Sequence, residues 1–195
     1  DARMDVGDPA ARDANGCTAA HVLAVTDSVT AEALRALAER GADLEALDDE
    51  GLAPIHHAAR DGSVAGVQAL VELGHAAVIS KHPDLRTPLQ AAIENDRRGV
   101  AALLMRTCPA AVWLRDDQFG LPVMAVMSPW PPASTYVAPL IAAMAAHMDA
   151  CLAGDPDHRE HTPEALFSTY DGKGRTVLHC IANDDPTVFE PLLKY

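Results

Sequence analysis

Apolar residues recur at positions i, i+3 and i+4 (or i+4 and i+5) in three places: Val67, Leu70 and Val71; Val100, Leu103 and Leu104; and Val188, Leu192 and Leu193. Such spacing lines one side of an α-helix with apolar side chains and predicts three amphipathic helices. Two of them follow short segments that carry paired alanines, Ala58-Ala59 and Ala91-Ala92, small enough to let neighbouring helices approach closely. Gly41-Ala42-Asp43 and Gly74-His75-Ala76 then supply the left-handed residue that stops a helix. The predicted unit is helix, helix, extended finger. A longer apolar stretch, residues 136–153, predicts a buried helix from about Thr135 to Cys151. Pro139, His147 and Asp149 interrupt it, and its apolar core is too short to cross a bilayer.

The unit repeats. Gly16-Cys-Thr-Ala-Ala-His21, Gly51-Leu-Ala-Pro-Ile-His56, Leu85-Arg-Thr-Pro-Leu-Gln90 and Gly174-Arg-Thr-Val-Leu-His179 share one pattern, with a weaker copy at Phe119-Gly-Leu-Pro-Val-Met124. Their third residues, 18, 53, 87, 121 and 176, are 35, 34, 34 and 55 apart. In the second copy Gly51 permits a positive φ in a tight turn, and Pro54 presets φ in the first turn of a helix, where its missing N–H costs nothing. A period of about 34 residues reading G-x-T-P-L-H-x-A resembles the ankyrin repeat. That resemblance covers nearly the whole chain and implies an all-α solenoid of helix-turn-helix units joined by hairpin fingers. No such unit can bury its apolar face alone, so neighbours must stack into one continuous core.

The expected layout is a single domain over 1–195, with repeats at about 13–47, 48–80, 81–114, 115–169 and a partial one at 170–195. Val6-Gly7-Asp8 matches the Gly41-Ala42-Asp43 stop, and Tyr195 falls where the next stop should begin, so the expectation is a fragment of a longer protein. The last interval exceeds a 34-residue period by 21, which places an insertion at about 128–162. It opens with Ser128-Pro-Trp-Pro-Pro-Ala133, whose prolines favour extended backbone. Trp130 reads either as packed over the following helix or as the tip of a partner-binding protrusion.

Composition narrows the function. The 28 acidic residues against 15 basic ones give a net charge of −13, and no local basic patch offsets it, which excludes a nucleic-acid or membrane-surface role. Cys17, Cys108, Cys151 and Cys180 lie far apart, as expected of buried thiols in a reducing, intracellular compartment without disulfides. Arginine-rich, alanine-rich usage suggests a GC-rich bacterial genome.

The candidate chemistry is thin. His21, His56 and His179 hold one repeat position. The resemblance implies that each hydrogen-bonds the residue three before it, Thr18 and Thr176 matching and Ala53 not, to tie one turn to the next. In unit three Thr87 faces Gln90, so units two and three are expected to lose a partner. Cys108 stands where a helix-stopping glycine would, and His57 and His75 read as solvated helix residues. His147 and Cys151, four apart on a helix, with His158 and His161 beyond, could close a tetrahedral zinc site. The spacing H-x-x-x-C then H-x-x-H is no familiar ligand pattern, and packing is the expected role of that face. Asp171-Gly-Lys-Gly-Arg175 lacks phosphate-loop spacing. The acids Asp48-Asp49-Glu50 and Asp116-Asp117 read as solvated finger tips. No catalytic residue, metal or cofactor is expected.

What remains is a surface. The resemblance implies protein binding on the concave face made by finger tips and first helices. Mapped onto the repeat, that face takes Asn15, Thr26, Asp49, Glu50, Leu52, Arg60, Asp61, Asp84, Arg86, Glu94, Asn95, Asp117, Gln118, Lys173, Arg175, Asn183 and Asp184, with Trp130 on the insertion. Its acidic balance fits a basic or mixed-charge protein partner, and the chain is expected to be monomeric. The expected function is a non-enzymatic interaction module, such as part of a bacterial effector. The alternatives are a substrate-recruiting domain of a larger enzyme, or an inhibitor that works through Trp130.

Overall fold

The computed structural model describes residues 8–26, 31–74, 87–114, 134–153, 167–170, 173–177, 179, 190–192 and 194. Six helices come in pairs: α1 (Ala19–Ala24) with α2 (Ala31–Glu39), α3 (Pro54–Asp61) with α4 (Val64–Glu72), and α5 (Pro88–Glu94) with α6 (Arg98–Thr107). The first helices α1, α3 and α5 pack in one row, and α2, α4 and α6 pack in a second row behind them. No strand forms among the described residues, only an isolated bridge between Tyr170 and Thr176. This is the all-α solenoid expected from the repeat.

Local chemistry sets each unit. Pro54 opens α3, and Gly62, in the left-handed region at φ 92°, closes it by donating its N–H to the Ala58 carbonyl. Ser63 then begins α4 at once, its hydroxyl accepting the Gly66 N–H at 3.1 Å. Only two residues therefore separate the antiparallel helices. The expected stops at Gly41 and Gly74 are both left-handed, with φ of 93° and 74°. Cys108 closes α6 differently: it sits before Pro109, which drives it out of the helical region to φ −133°, and a 3₁₀ helix (Pro109–Trp113) follows.

The seam between the rows is built from small and aliphatic residues. Ala20, Ala24, Ala58, Ala59 and Ala92 are fully buried, together with Leu34, Ile55, Val67 and Leu104. The predicted stripes face this core: Val67 and Leu70 are buried and Val71 half-buried, Val100, Leu103 and Leu104 are buried, and so is Leu192. Val188 and Leu193 lie outside the described residues or side chains. Gly66 is the tightest point, because a Cβ there would overlap the Ala24 carbonyl oxygen of the preceding unit.

The long apolar stretch forms α7 (Ser134–Leu152), within one residue of its predicted span at each end. It packs against α6 and the 3₁₀ helix, burying Tyr136, Leu140, Ile141, Met144 and Met148. Tyr136 donates its hydroxyl to Asp96 Oδ1 at 2.9 Å, and Lys194 donates to both Asp149 oxygens at 2.9 Å. Burial and the Asp96 contact push the Tyr136 hydroxyl up to about 12. It therefore stays a donor at any physiological pH.

Substituting Gly66→Ala is expected to destabilise the protein by about 3 kcal/mol, since the new methyl meets rigid backbone. Gly99→Ala places its methyl 3.1 Å from the end of the Val64 side chain, and is expected to fall within about 0.5 kcal/mol of wild type. Urea denaturation of the two variants checks this. Equal effects would show that close approach of the units is not the constraint.

Candidate functional site

The fingers are held by aspartates. Asp13 Oδ1 accepts the amides of Asn15 and Cys17 at 2.8 and 2.9 Å, and Asp48 Oδ1 accepts those of Glu50 and Leu52 at 2.9 and 2.8 Å. Each stands five residues before the N-cap of the following helix. Neighbouring fingers are then joined directly, by the Asp49 N–H on the Asn15 carbonyl at 3.1 Å. Arg12 adds a second tie, donating to the carbonyls of Gly16 at 3.0 Å and Leu47 at 2.6 Å.

The repeat histidine connects the fingers to the helices. His21 Nδ1 accepts from the Thr18 N–H and hydroxyl, each at 3.0 Å, while its Nε2 donates to the Leu52 carbonyl of the next finger at 3.0 Å. One neutral tautomer makes all three bonds. Burial lowers the His21 pKa from its ordinary value of 6.5, and the Leu52 carbonyl offsets this only in part. Thr176 and His179 repeat the local half of the arrangement at 2.8 Å. Unit two lacks the hydroxyl partner at Ala53, as expected, and keeps the backbone one, while unit three keeps a local pairing through Gln90. His56 still accepts the Ala53 N–H at 3.2 Å. Gln90 takes the imidazole's place within its own unit, its Oε1 accepting the Thr87 N–H at 2.9 Å while Thr87 Oγ1 accepts the Gln90 backbone N–H at 3.2 Å.

Two expectations about single residues are corrected. His57 is not solvated: its Nε2 donates to Asp48 Oδ2 at 2.6 Å, with side-chain exposures of 13% for His57 and 3% for Asp48. Asp48 is correspondingly not a solvated finger-tip acid, because its Oδ1 turns inward to accept its own loop's amides. Burial would raise the Asp48 carboxyl, but the Leu52 amide and His57 hold it below the usual carboxylate value. Arg60 donates from Nη2 to His57 Nδ1 at 3.2 Å, which fixes the imidazole with its proton on Nε2. The His21 and His57 rings meet edge to face at 5.2 Å. Cys17 lies against the same carboxylate, with Sγ 3.9 Å from Asp48 Oδ2. Burial and the charges of Asp13 and Asp48 raise its thiol pKa, so it is protonated and a poor nucleophile.

Of the surface residues expected from the repeat, Asn15, Thr26, Asp49, Glu50, Arg60, Asp61, Glu94, Asn95 and Lys173 are exposed, and Leu52 and Arg175 are half-buried. Asn15 and Asp49 are joined directly where the first two fingers meet, and Leu52 and Arg60 are linked to that place through Asp48 and His57, Leu52 by its backbone. Asp61 follows on the last turn of α3, with Oδ1 3.6 Å from Arg60 Nε. Unit three joins through Arg97, whose Nε donates to the Arg60 carbonyl at 2.8 Å. Asp84, Arg86, Asp117, Gln118, Trp130, Asn183 and Asp184 lie outside the described residues. So do His158 and His161, and the side chain of Cys151, of the four residues that could close a zinc site. Its remaining member, His147, is buried against Trp113 with ring centroids 5.9 Å apart.

Asp48, His57 and Cys17 were not legible as a group. The available signal was the aspartate five residues before four of the five turns, at 13, 48, 116 and 171, the third turn having His82 there. At 13 and 48 that aspartate is a structural acceptor rather than a solvated charge.

The family model "Ankyrin repeats (3 copies)" matches residues 3–82 and 23–116, together more than half of the chain. The protein belongs to the ankyrin-repeat family, whose members generally mediate protein–protein interaction and are typically non-enzymatic. No helix among the described residues is long and apolar enough to cross a membrane.

The lowered pKa of His21 carries a sign. Folding favours its neutral form, so its contribution is complete above the unfolded value of 6.5 and is lost as pH falls through the lower folded value. In a chelating buffer, the denaturation midpoint of wild type should fall between about pH 7 and about pH 5 more steeply than that of His21→Gln. Parallel curves would show that His21 does not titrate with folding.

Proposed function

We propose that this chain is a non-enzymatic binding module that grips a partner protein with a basic or mixed-charge surface on the face formed by its fingers and first helices. The observation that carries this is the exposure of Asp49, Glu50, Asp61 and Glu94 along that face, on a scaffold whose own polar groups are tied into finger and helix bonds. Asp48 and His57 are committed to each other and to the backbone, whereas the side chains of these acids reach solvent. Arg60 stands among them as an anchor for an acidic group on the partner. Opposite charges facing across such a surface speed encounter and set register more than they add raw affinity.

Reversing charge tests the placement. The variant Asp49→Lys, Glu50→Lys, Asp61→Lys is compared with Glu32→Lys, Glu39→Lys, Glu72→Lys, which makes the same change in charge on the exposed side of α2 and α4. In affinity capture read by mass spectrometry, the first variant should lose the proteins retained by wild type, by roughly tenfold or more, and the second should keep them. Equal loss by both would mean net charge alone acts, and loss by neither would place binding elsewhere.

A further inference from the structure

Three segments converge beneath the first two fingers. Cys17 comes from the turn before α1, Asp48 from the base of the second finger and His57 from α3, and their Sγ, Oδ2 and Nε2 atoms lie within 4.8 Å of one another. We propose that these three side chains bind one divalent transition-metal ion of zinc type, which clamps the first two repeats together. Nothing in the partner-binding reading requires this site, and it would stand if that reading failed.

The donor set selects the ion. A thiolate, an imidazole and a carboxylate together suit borderline-soft Zn²⁺ or Co²⁺, whereas Mg²⁺ and Ca²⁺ take oxygen alone. Ionised Cys17 and Asp48 supply two negative charges, which neutralise a divalent cation. Bonds of about 2.0–2.3 Å in a tetrahedron set donors roughly 3.3–3.7 Å apart. The Asp48–His57 pair at 2.6 Å must widen and the Cys17–Asp48 pair at 3.9 Å must close slightly, both within reach of side-chain rotation. Asp48 is already oriented, because the Glu50 and Leu52 amides hold Oδ1 and leave Oδ2 toward the other two donors.

Binding proceeds with a defined proton balance. Cys17 gives up its Sγ proton to solvent, and the sulfur's electron pair goes to the metal. His57 gives the metal its Nε2 lone pair, so its ring proton moves from Nε2 to Nδ1. Arg60, which donates to Nδ1, then swings outward, as its 44% side-chain exposure allows. Three protein ligands leave the fourth position to water. A metal here joins residues 17 and 57 across the repeat junction, reinforcing the tie that His21 makes to Leu52.

The test titrates the whole chain, kept reduced, with Co²⁺ and then displaces it with Zn²⁺. The expected result is saturation at one Co²⁺ per chain with thiolate-to-cobalt charge-transfer absorption, lost on adding Zn²⁺. Cys17→Ser and His57→Ala should each bind at least about tenfold more weakly, and Cys17→Ser should lose the charge-transfer band. Circular dichroism of the metal-free variants confirms folding, with Cys17→Ala as the substitute if the serine disturbs the turn. Absence of saturable binding to wild type would overturn the proposal. So would a charge-transfer band that persists in the folded Cys17 variants, since it would place the metal on Cys108, Cys151 or Cys180.

Discussion

The structure depends on close approach between units that cannot stand alone. Helices of six to ten residues are too short to be stable in water by propensity. Their stability comes from the alanine seam between the rows and from backbone-to-backbone proximity at Gly66, where a methyl group would already collide with the previous unit. Once the units stand this close, their polar groups must find partners in the neighbour. His21 shows how: one ring starts its own helix through Thr18 and fixes the next finger through Leu52. Local helix capping and the register between repeats are thus one interaction.

The same economy shapes the finger surface on which we propose that a partner binds. Aspartates at a fixed place in the fingers turn inward onto amides, and the two acids that follow Asp48, Asp49 and Glu50, stay exposed. Rigidity follows from the first set and charge from the second. Asn15 and Asp49, in successive fingers, are spaced by a backbone hydrogen bond rather than by loop chance, so the face we propose for binding would have little entropy left to lose.

Much of this was legible in the residues. The period fixed by Thr18, Ala53 and Thr87, the glycine stops at 41 and 74 and the stripes at 67–71 and 100–104 all fall where the structure has them. Helix α7 was legible too, because a long apolar run with Asp149 as its one charge has few other fates. Single-residue environments were harder. The repeat position of Asp48 said finger, and fingers suggest solvent, but an aspartate that accepts its own loop's amides turns inward. His57 looked solvated because its partner lies nine residues earlier, beyond the reach of helical periodicity. Gln90 shows the converse: a departure from the repeat pattern that keeps its hydrogen bond, since an amide oxygen accepts an N–H as an imidazole nitrogen does. The stop at Cys108 escaped the pattern because Pro109 does there what glycine does elsewhere.

The central claim is that each unit is held in shape by the next. Amide hydrogen exchange on His21→Ala tests it most directly, under native conditions and against wild type. The account requires faster exchange at the Glu50 and Leu52 amides, 29 residues or more beyond the substitution, as well as within α1. If the loss of protection stayed inside residues 18–24 while the second finger exchanged as before, the units would be independent and the account would be wrong.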